Sequence, residues 1–400
     1  MSPAGRLIIT APRVLTGLEP TGLAESTGLE SPGYVVLSDG LVSAVGAGPP
    51  PGLADVELPD GFLVPGFVDL QVNGYYGVEL QDARLEGWAH VTGRLPETGT
   101  TAFVPTFVTA PAARLGAALR GAASFRQDLP QGARVIGIHL EGPFIAPSRR
   151  GAHNAAWMTD PSPAVLDELL AAGGGLLRLV TLAPELPGGL AAVSQLAAAG
   201  VLVSVGHSDA TAAQVGQAAD RGARMVTHLY NAQRPLGHRE PGVVGQALAD
   251  SRLTSGLIAD LHHVSAQACR IAVAAAPGRI ALVTDAAACA GMPPGRYLLG
   301  GEPIELPPGD GQPPVRAGGV LAGSALRMDA AIANLVATGA SLPAAVAAAT
   351  SIPADLIGYP SLGRIAPGAA GDLVWLGPDL HTRATWIGGR QVFGAAVPAG

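Results

Sequence analysis

Three side chains of metal-binding type follow apolar runs in different parts of this sequence. Glu141, His207 and His228 each stand at the end of a run that predicts a β-strand. A carboxylate and two imidazoles from separate strands suit Zn²⁺ or a similar divalent ion, and three ligands leave positions open for water and substrate. We therefore predict that these residues hold a divalent metal ion, with Zn²⁺ first and Fe²⁺, Mn²⁺ or Co²⁺ as alternatives.

A further carboxylate, Asp285, ends the run Val283-Thr284-Asp285 and is predicted to face the same mouth as the three ligands. Its spacing alone does not distinguish it from a structural carboxylate. A carboxylate beside a metal ion is, however, a suitable carrier for the proton of an attacking water. We predict that Asp285 acts first as general base and then as general acid in a hydrolytic reaction.

The histidines of the chain gather at the predicted strand ends. A single histidine at such a place is more often a hydrogen-bonded structural residue than a ligand. Here seven of the nine histidines lie at or just beyond strand ends, and this grouping favours a metal site. The two exceptions, His90 and His381, are assigned to surface or helix packing.

The strands that must position these residues alternate with Ala- and Leu-rich helical stretches. This alternation is typical of repeated βαβ units with a parallel sheet, and eight strands close a barrel. The eight predicted strands begin near Leu63, Thr101, Arg134, Leu177, Val201, Arg224, Thr254 and Arg279. We predict an α/β fold, a (β/α)8 TIM-like barrel whose active face is the carboxyl end of its strands.

Both chain termini contain short β-rich runs that lack enough strands for an independent core. Examples are Tyr34-Val35-Val36-Leu37 near the start and Asp372-Leu373-Val374-Trp375 near the end. We expect the two termini to combine into one small β-sandwich. The predicted domains are residues 1–62 and 359–400 for the two parts of the sandwich, and residues 63–358 for the barrel.

The composition excludes several classes of function. Hydrophobic residues make up 48% and charged residues 14% of the chain, and the net charge is -7, which argues against nucleic acid as a partner. No apolar run is long enough to span a bilayer, and Met1-Ser2-Pro3-Ala4 opens no apolar signal segment, so we expect no membrane partner and a cytoplasmic protein. Cys269 and Cys289 have no spacing typical of a metal site or a disulfide and are expected to be inert.

All 24 Lys+Arg residues are arginine. The lack of lysine excludes Schiff-base chemistry, a Walker A phosphate loop and a metal pair bridged by a carbamylated lysine.

Several strings occur in an order known from one enzyme family. They are Pro65-Gly66-Phe67-Val68-Asp69-Leu70-Gln71-Val72-Asn73-Gly74, His139-Leu140-Glu141-Gly142-Pro143-Phe144, Gly206-His207-Ser208, His228-Leu229-Tyr230-Asn231-Ala232, Arg239-Glu240-Pro241-Gly242 and Val283-Thr284-Asp285-Ala286. Together they resemble the N-acetylglucosamine-6-phosphate deacetylase family of the amidohydrolase superfamily. The resemblance implies a barrel with a terminal β-sandwich, a homodimer, and metal ligands at Glu141, His207 and His228.

The resemblance also implies substrate contacts. His153 would meet the sugar and help to polarise the amide carbonyl, and Ala152 would also contact the substrate. Asn231 and Ala232 would meet the phosphate, and His263 would bind the sugar or the phosphate. Arg239 would reach the phosphate in the neighbouring subunit's active site. From the residues alone, loop structure for His153 and a surface salt bridge for Arg239 remain the alternatives.

Many members of the superfamily end the first strand with a His-x-His pair, whereas this chain has Gln71-Val72-Asn73. Without that pair and without lysine, we expect one metal ion per subunit. Gln71 and Asn73 are expected to bind substrate, and Gln71, Asn73 or a second histidine could support a weaker second site. Glu185 is a further candidate ligand, with packing as its alternative. Gln233 and Leu261-His262-His263 depart from the family's usual residues.

The implied reaction is hydrolysis of the N-acetyl amide of N-acetyl-D-glucosamine 6-phosphate, in amino-sugar catabolism and cell-wall recycling. The small-molecule amino-sugar phosphate is then the only expected partner apart from a second copy of the chain. One rival is an amidohydrolase acting on another N-acetyl-hexosamine phosphate or a cyclic amide. A second rival is a non-catalytic sugar-phosphate sensor on the same barrel.

Overall fold

The computed structural model describes residues 5–18, 29–125, 128–309 and 311–395. The first four residues and the last five, which belong to the predicted terminal segments, lie outside this range. The strands along the chain are β1 Leu7–Val14, β2 Leu29–Ser38, β3 Leu41–Ala47, β4 Val56–Glu57, β5 Phe62–Pro65, β6 Phe67–Val72, β7 Gly74–Tyr75, β8 Val78–Glu79, β9 Thr100–Val108, β10 Arg134–Val135, β11 Ile138–Glu141, β12 Leu177–Leu182, β13 Leu202–Val205, β14 Ala223–Val226, β15 Thr254–Leu257, β16 Ile280–Leu282, β17 Gly295–Leu299, β18 Glu302–Leu306, β19 Leu373–Leu376, β20 Thr382–Ile387 and β21 Arg390–Phe393.

The α-helices lie between and after the barrel strands. They are α1 Leu85–Arg94, α2 Ala112–Phe125, α3 Pro163–Gly173, α4 Gly189–Ala198, α5 Ala212–Asp220, α6 Gly242–Ala249, α7 Ala266–Ala275, α8 Met328–Ala337, α9 Leu342–Ala349 and α10 Ser351–Leu356, and short 3₁₀ turns occur at Leu95–Thr98, Pro147–Arg149 and Ala155–Trp157. Local sequence explains their starts: Thr211, for example, caps α5 in a reciprocal capping box with Gln214. Within the described residues, no helix combines the length and the apolar character needed to cross a bilayer.

The predicted β/α barrel is confirmed. Its parallel sheet runs β9-β11-β12-β13-β14-β15-β16, with β6 paired to β9. The first and last strands meet at their carboxyl ends, where the backbone N–H of Asp285 donates to the carbonyl of Gln71 over 2.9 Å. Because side chains alternate along a strand, Gln71 and Glu141 point into the barrel interior, whereas Leu70 and Leu140 point to the other side and belong to the main apolar core.

The two termini build one further sheet, as predicted. Its order is β21-β20-β19-β5-β1-β2-β3, and β4 pairs with β1. The antiparallel pairing of Leu373 with Pro65 joins the C-terminal strands to the N-terminal ones. A separate apolar cluster that includes Ile9, Leu63 and Trp386 supports this sheet.

The stretch predicted as one barrel strand from Leu63 is two strands in the structure. β5 belongs to the terminal sheet, whereas β6 belongs to the barrel. Gly66 separates them where the backbone passes so close to Thr101 that a side chain would collide with it. Periodicity shows no break there because apolar residues continue on both sides. The domain limits at residues 62 and 358 stay predictions.

A hairpin is inserted between the last barrel strand and α8. β17 and β18 pair antiparallel, and they cover a small apolar cluster that contains Cys289, Ile304 and Ala322. Burial raises the pKa of the Cys269 thiol to about 11 and that of Cys289 to about 12. Both cysteines are buried and free, so thiolate chemistry is disfavoured at each.

Candidate active site

The carboxyl ends of the barrel strands open into a cavity of about 300 Å³. Most of the residues predicted for the site line it together, although they are far apart in sequence. These lining residues are Asn73, Glu141, Ala152, His153, His207, His228, Asn231, Ala232, His263 and Asp285. Gln71 lies directly behind this wall, and Arg239 does not line the cavity.

The three predicted metal ligands converge at one point. Oε1 of Glu141 lies 3.1 Å from Nε2 of His207 and 2.9 Å from Nε2 of His228. The two imidazole nitrogens are 3.2 Å apart, and one ligand atom of each residue lies within 4.8 Å of the others. All three side chains are buried.

The tautomer of His207 shows why this cluster suits a cation. Its Nδ1 lies 2.9 Å from the carbonyl oxygen of Arg149, and a carbonyl only accepts hydrogen bonds, so Nδ1 carries the proton. The Nε2 atom then presents a lone pair toward Glu141 and His228. A divalent cation stabilises such converging lone pairs, and a hydrogen bond that fixes the far ring nitrogen is typical of metal-binding histidines.

Asp285 is held by the two amide side chains at the end of β6. Nδ2 of Asn73 donates to Oδ1 of Asp285 over 2.7 Å. Nε2 of Gln71 donates to the same oxygen and to Oε1 of Glu141, at 3.1 Å in each case. Gln71 thus links the predicted proton carrier to a predicted ligand. The amide groups orient the carboxylates, a role that the sequence did not predict.

The electrostatics at Asp285 suit a group that exchanges protons. Burial raises the pKa of its carboxyl group to about 6, and the nearby charge of Glu141 acts in the same direction. A cation at the ligand cluster would oppose this shift by favouring the ionised form. Strong perturbation of a carboxyl group beside a cavity is typical of functional sites.

His153 lies on the loop after β11 and faces the ligand cluster. The Thr109 backbone N–H donates to its Nδ1 over 3.4 Å, and the Thr109 hydroxyl lies 2.8 Å from that atom. This contact favours the tautomer that carries a proton on Nε2, which lies 3.8 Å from Glu141. Burial lowers the pKa of His153 to about 3, so the ring is a neutral hydrogen-bond donor. The partner, Thr109, was not predicted from the sequence.

On another side of the cavity lie Asn231, Ala232 and His263. His263 is fixed by Asp260, whose carboxylate lies 2.6 Å from its Nδ1. Gln233, a departure from the family, is buried and donates to the carbonyl of Thr227 over 2.6 Å. It therefore shapes the turn that presents Asn231 and Ala232 rather than lining the cavity.

Arg239 is exposed on the segment between β14 and α6, and it lies outside the cavity of its own chain. The structure therefore does not bring it together with the other predicted substrate contacts. Within its own chain, the described residues make no contact with Arg239 that would indicate its role.

The two predicted histidine ligands and the predicted proton carrier have strained backbones. The φ angles of His207, His228 and Asp285 are 48°, 27° and 52°, in the left-handed region that residues other than glycine rarely adopt. Each residue lies two or three positions after the end of a barrel strand and lines the cavity. Such strain persists where surrounding structure enforces it, and it is frequent at active sites.

His139 lies below the ligand cluster and is a structural residue. Its Nε2 lies 2.7 Å from the hydroxyl of Thr181, and Nδ1 lies 3.1 Å from that of Thr106. The Thr181 hydroxyl continues to Thr227 at 2.6 Å. Burial lowers the pKa of His139 to about 4. The neutral ring therefore joins neighbouring strands under the site.

The remaining candidates lie elsewhere. Glu185 accepts from the Ser208 hydroxyl and the Asp209 N–H at 2.7 and 2.6 Å, which matches its packing alternative. His90 is on α1 with its ring edge-on to Tyr76, and His381 is exposed.

One wall of the cavity was not predicted from the sequence. It is formed by Leu299, Gly300 and Glu302 of the inserted hairpin and by Val320 and Leu321 beyond it. The rule that places active-site residues at strand ends does not apply to an insertion after the eighth strand. In the sequence, Glu302 also shows no spacing that would distinguish it from an ordinary surface carboxylate.

Comparison with known proteins identifies the family. Residues 62–392 match the sequence model of the amidohydrolase family. The chain belongs to the amidohydrolase family. Amidohydrolases similar to it include the N-acetylgalactosamine-6-phosphate deacetylase of Escherichia coli O157:H7, 38% identical over 357 residues, with 88% of this chain and 93% of the relative covered.

Another amidohydrolase relative is the N-acetylglucosamine-6-phosphate deacetylase of Bos taurus, which is 40% identical, with 83% of each chain covered. Among solved structures, a variant of the N-acetyl-D-glucosamine-6-phosphate deacetylase of Mycobacterium smegmatis in complex with N-acetyl-D-glucosamine 6-phosphate is similar, with a TM-score of 0.89 and 36% identity. The match covers 97% of this chain and 99% of that one. The resemblance drawn from the sequence motifs is confirmed, and the chain is a metal-dependent amidohydrolase.

Proposed function

We propose that this amidohydrolase removes the acetyl group of N-acetyl-D-glucosamine 6-phosphate, giving D-glucosamine 6-phosphate and acetate. The observation that carries the proposal is the convergence of Glu141, His207 and His228 beside Asp285 in one cavity. The names of the relatives support a 6-phosphorylated N-acetylhexosamine as substrate. The reaction would serve amino-sugar catabolism and cell-wall recycling in the cytoplasm, since a charged sugar phosphate does not freely cross membranes.

We assign Glu141, His207 and His228 as the ligands of one divalent ion, Zn²⁺ first, with Fe²⁺, Mn²⁺ and Co²⁺ as alternatives. When bound, such an ion supplies a Lewis acid that favours ionisation of water and polarises a carbonyl group. Gln71 and Asn73 direct N–H groups, not oxygens, at the carboxylates. This orientation favours a single ion over a pair.

Asp285 acts as the proton carrier. Gln71 and Asn73 both donate to its Oδ1, which leaves Oδ2 to remove the proton of the attacking water. As the carbon–nitrogen bond breaks, the same carboxyl group returns the proton to the departing amine, so that one group serves as base and then as acid. The protein thereby avoids release of a strongly basic amide anion.

His153 stabilises the negative charge that develops on the carbonyl oxygen. The tautomer favoured by Thr109 places the ring proton on Nε2, on the side of the ligand cluster. A fixed neutral donor at this place lowers the energy of the oxyanion without costly reorganisation. The pKa of His153, lowered to about 3 by burial, keeps the ring neutral at physiological pH.

The sugar phosphate would lie against Ala152, Asn231, Ala232 and His263, all of which line the cavity. Arg149 also lines the cavity, but its guanidinium group is paired with Asp209 at 2.7 Å. We propose that the protein is a homodimer in which the exposed Arg239 of each subunit reaches the phosphate in the other subunit's site. A guanidinium group is well suited to a phosphate because it donates two hydrogen bonds at once.

A second substrate, N-acetyl-D-galactosamine 6-phosphate, is favoured by the name of the Escherichia coli O157:H7 relative. The two sugars differ in configuration only at C4, which is remote from the amide. The same site could therefore act on both, with specificity set by the groups that surround C4.

A substrate panel tests the proposed function. Acetate release would be measured with N-acetylglucosamine and N-acetylgalactosamine, each with and without the 6-phosphate, on protein of known metal content. Rapid hydrolysis of a 6-phosphate and slow hydrolysis of the free sugars supports the proposal. Failure to release acetate from any of the four, with metal bound, would favour a sensor and contradict it.

A further inference from the structure

The inserted hairpin lines one side of the cavity and is itself fixed to the barrel. Leu299 pairs with Glu302 beside its turn. The carboxylate of Glu79, at the end of β8, accepts hydrogen bonds from the backbone N–H groups at the turn, including that of Gly300. Arg114 of α2 donates to the Gly300 carbonyl over 3.5 Å. These contacts hold the hairpin at a defined place on the mouth of the barrel.

Glu302 connects this hairpin to the loop that carries His153. Its Oε1 accepts a hydrogen bond from Nδ2 of Asn154 over 2.9 Å. Its Oε2 lies 2.8 Å from a guanidinium nitrogen of Arg316, and Arg316 also donates to the backbone carbonyl of Ala152. We refer to Glu302 and Arg316, with their contacts to Asn154 and Ala152, as the clasp. The clasp therefore holds the residue on each side of His153.

The clasp adds to the other contacts of this loop, such as those of His153 with Thr109 and of Arg149 with Asp209. Asn154 uses both ends of its amide, because Oδ1 caps the following 3₁₀ turn by accepting from Ala156 at 3.0 Å while Nδ2 meets Glu302. Earlier in the loop, the carbonyl of Arg149 fixes the tautomer of His207. Arg149 is itself anchored to Asp209 at 2.7 Å, so movement at residues 152–154 would displace His153 and leave the contact of Arg149 with His207 in place.

The ion pair between Arg316 and Glu302 is partly buried. The side chains of Arg316 and Glu302 are 20% and 31% exposed, so solvent screens the pair less than it screens an open surface pair. By contrast, the Arg252–Asp220 pair, at 2.6 Å, is 41% and 68% exposed and touches nothing in the cavity. This second pair serves as a matched control.

We propose that Glu302 is a positioning residue for the hydrolysis: through Asn154 and Arg316 it holds the His153 loop so that the imidazole faces the reacting carbonyl. This inference rests on the proposed function. Because Glu302 acts through His153, its loss should lower kcat and leave KM nearly unchanged. Misplacement of a catalytic group by about 1 Å costs up to about a hundredfold in rate.

A double-mutant cycle tests the proposal. We expect Glu302→Ala to lower kcat about ten- to a hundredfold, with KM changed less than about twofold, and Glu302→Gln, which keeps an acceptor for Asn154, to lose less. In a His153→Ala background, Glu302→Ala should cause no further loss. An additive loss in that background would show that Glu302 acts independently of His153, and a rise in KM at constant kcat would show a direct role in substrate binding; either result would overturn the proposal.

Controls separate this result from a general loss of structure and from failure of the proposed reaction. Asp220→Asn, at the control pair, should retain wild-type kcat. Hydrogen–deuterium exchange needs no substrate: Glu302→Ala should speed exchange in residues 147–157 and leave the barrel helices unchanged. If the wild type releases no acetate, the proposed function fails. Unchanged exchange at residues 147–157 contradicts the clasp whatever the substrate is.

Discussion

Nδ2 of Asn73 lies 2.7 Å from Oδ1 of Asp285, and this contact joins the first and last strands of the barrel at the candidate active site. Gln71 donates to the same oxygen over 3.1 Å. The carboxylate is therefore oriented before any substrate binds. Preorganisation of this kind removes a cost that would otherwise be met during the reaction.

Replacement of the proton carrier should stop turnover without disturbing the site. Asp285→Asn keeps an oxygen that can accept from Asn73 and Gln71 but cannot take a proton. We expect kcat to fall at least about a hundredfold, as general acid–base groups contribute this much or more. Acetate release measures the loss, and metal content and substrate binding by calorimetry serve as controls. Activity within about tenfold of the wild type would contradict the assignment.

Removal of the metal should abolish activity reversibly. A chelator should reduce acetate release to background, and stoichiometric Zn²⁺ should restore it. His207→Ala should lower the metal bound per subunit, because it deletes one of three ligands, whereas Glu185→Gln should retain the wild-type metal content. Elemental analysis after gel filtration provides the measurement. Full metal content in His207→Ala would exclude His207 as an essential ligand.

The buried carboxyl group of Asp69 should make stability depend on pH. Burial raises its pKa from 3.8 to about 7, although hydrogen bonds from Thr284 and Gln71 act against this rise. Between about pH 4 and 7 the folded protein therefore keeps a proton that the unfolded chain releases. The contribution of Asp69 to the free energy of unfolding then decreases as the pH rises, by up to about 1.4 kcal/mol per pH unit.

Asp69→Asn removes this titration and keeps an oxygen for the two backbone N–H groups. Relative to the wild type, its free energy of unfolding should improve from pH 5 to pH 7. Urea unfolding at both pH values, with equal metal content, measures the difference. The exposed substitution Asp220→Asn should follow the wild type, and parallel curves for Asp69→Asn would refute the prediction.

Arg239 should act in the partner's site. Arg239→Ala should lower kcat/KM for the 6-phosphate about ten- to a hundredfold, the cost of losing a charged hydrogen-bond partner of the phosphate, and should change hydrolysis of the free sugar little. A non-dimeric protein in analytical ultracentrifugation would contradict the proposed arrangement.

Mixing two impaired variants gives a direct test of this arrangement. A hybrid dimer of Arg239→Ala and Asp285→Asn subunits has one site with an intact Asp285 and a partner that supplies Arg239. Random exchange at equal amounts makes half the dimers hybrid, so about a quarter of wild-type activity should return. No recovery after exchange would place Arg239 in its own subunit's site or outside catalysis.

Much of the fold could be predicted from the sequence because the repeat of strand and helix is local. The ligand set Glu141, His207 and His228 follows from the same logic, since residues at the ends of parallel strands meet at one face whatever the helices between them do. The division of the first predicted strand at Gly66 could not be predicted, because it depends on the approach of Thr101 from another strand.

The sequence by itself determined which residue types stand at the strand ends, and it therefore determined the chemistry open to the protein. Only the tertiary structure decided how those groups act on one another. In the structure, Asn73 and Gln71 donate to Asp285, Thr109 orients His153, and Glu302 lines the cavity. These contacts join residues up to 214 positions apart. Their geometry depends on how the barrel closes and on how the hairpin packs against it. Local sequence patterns predict neither of these features.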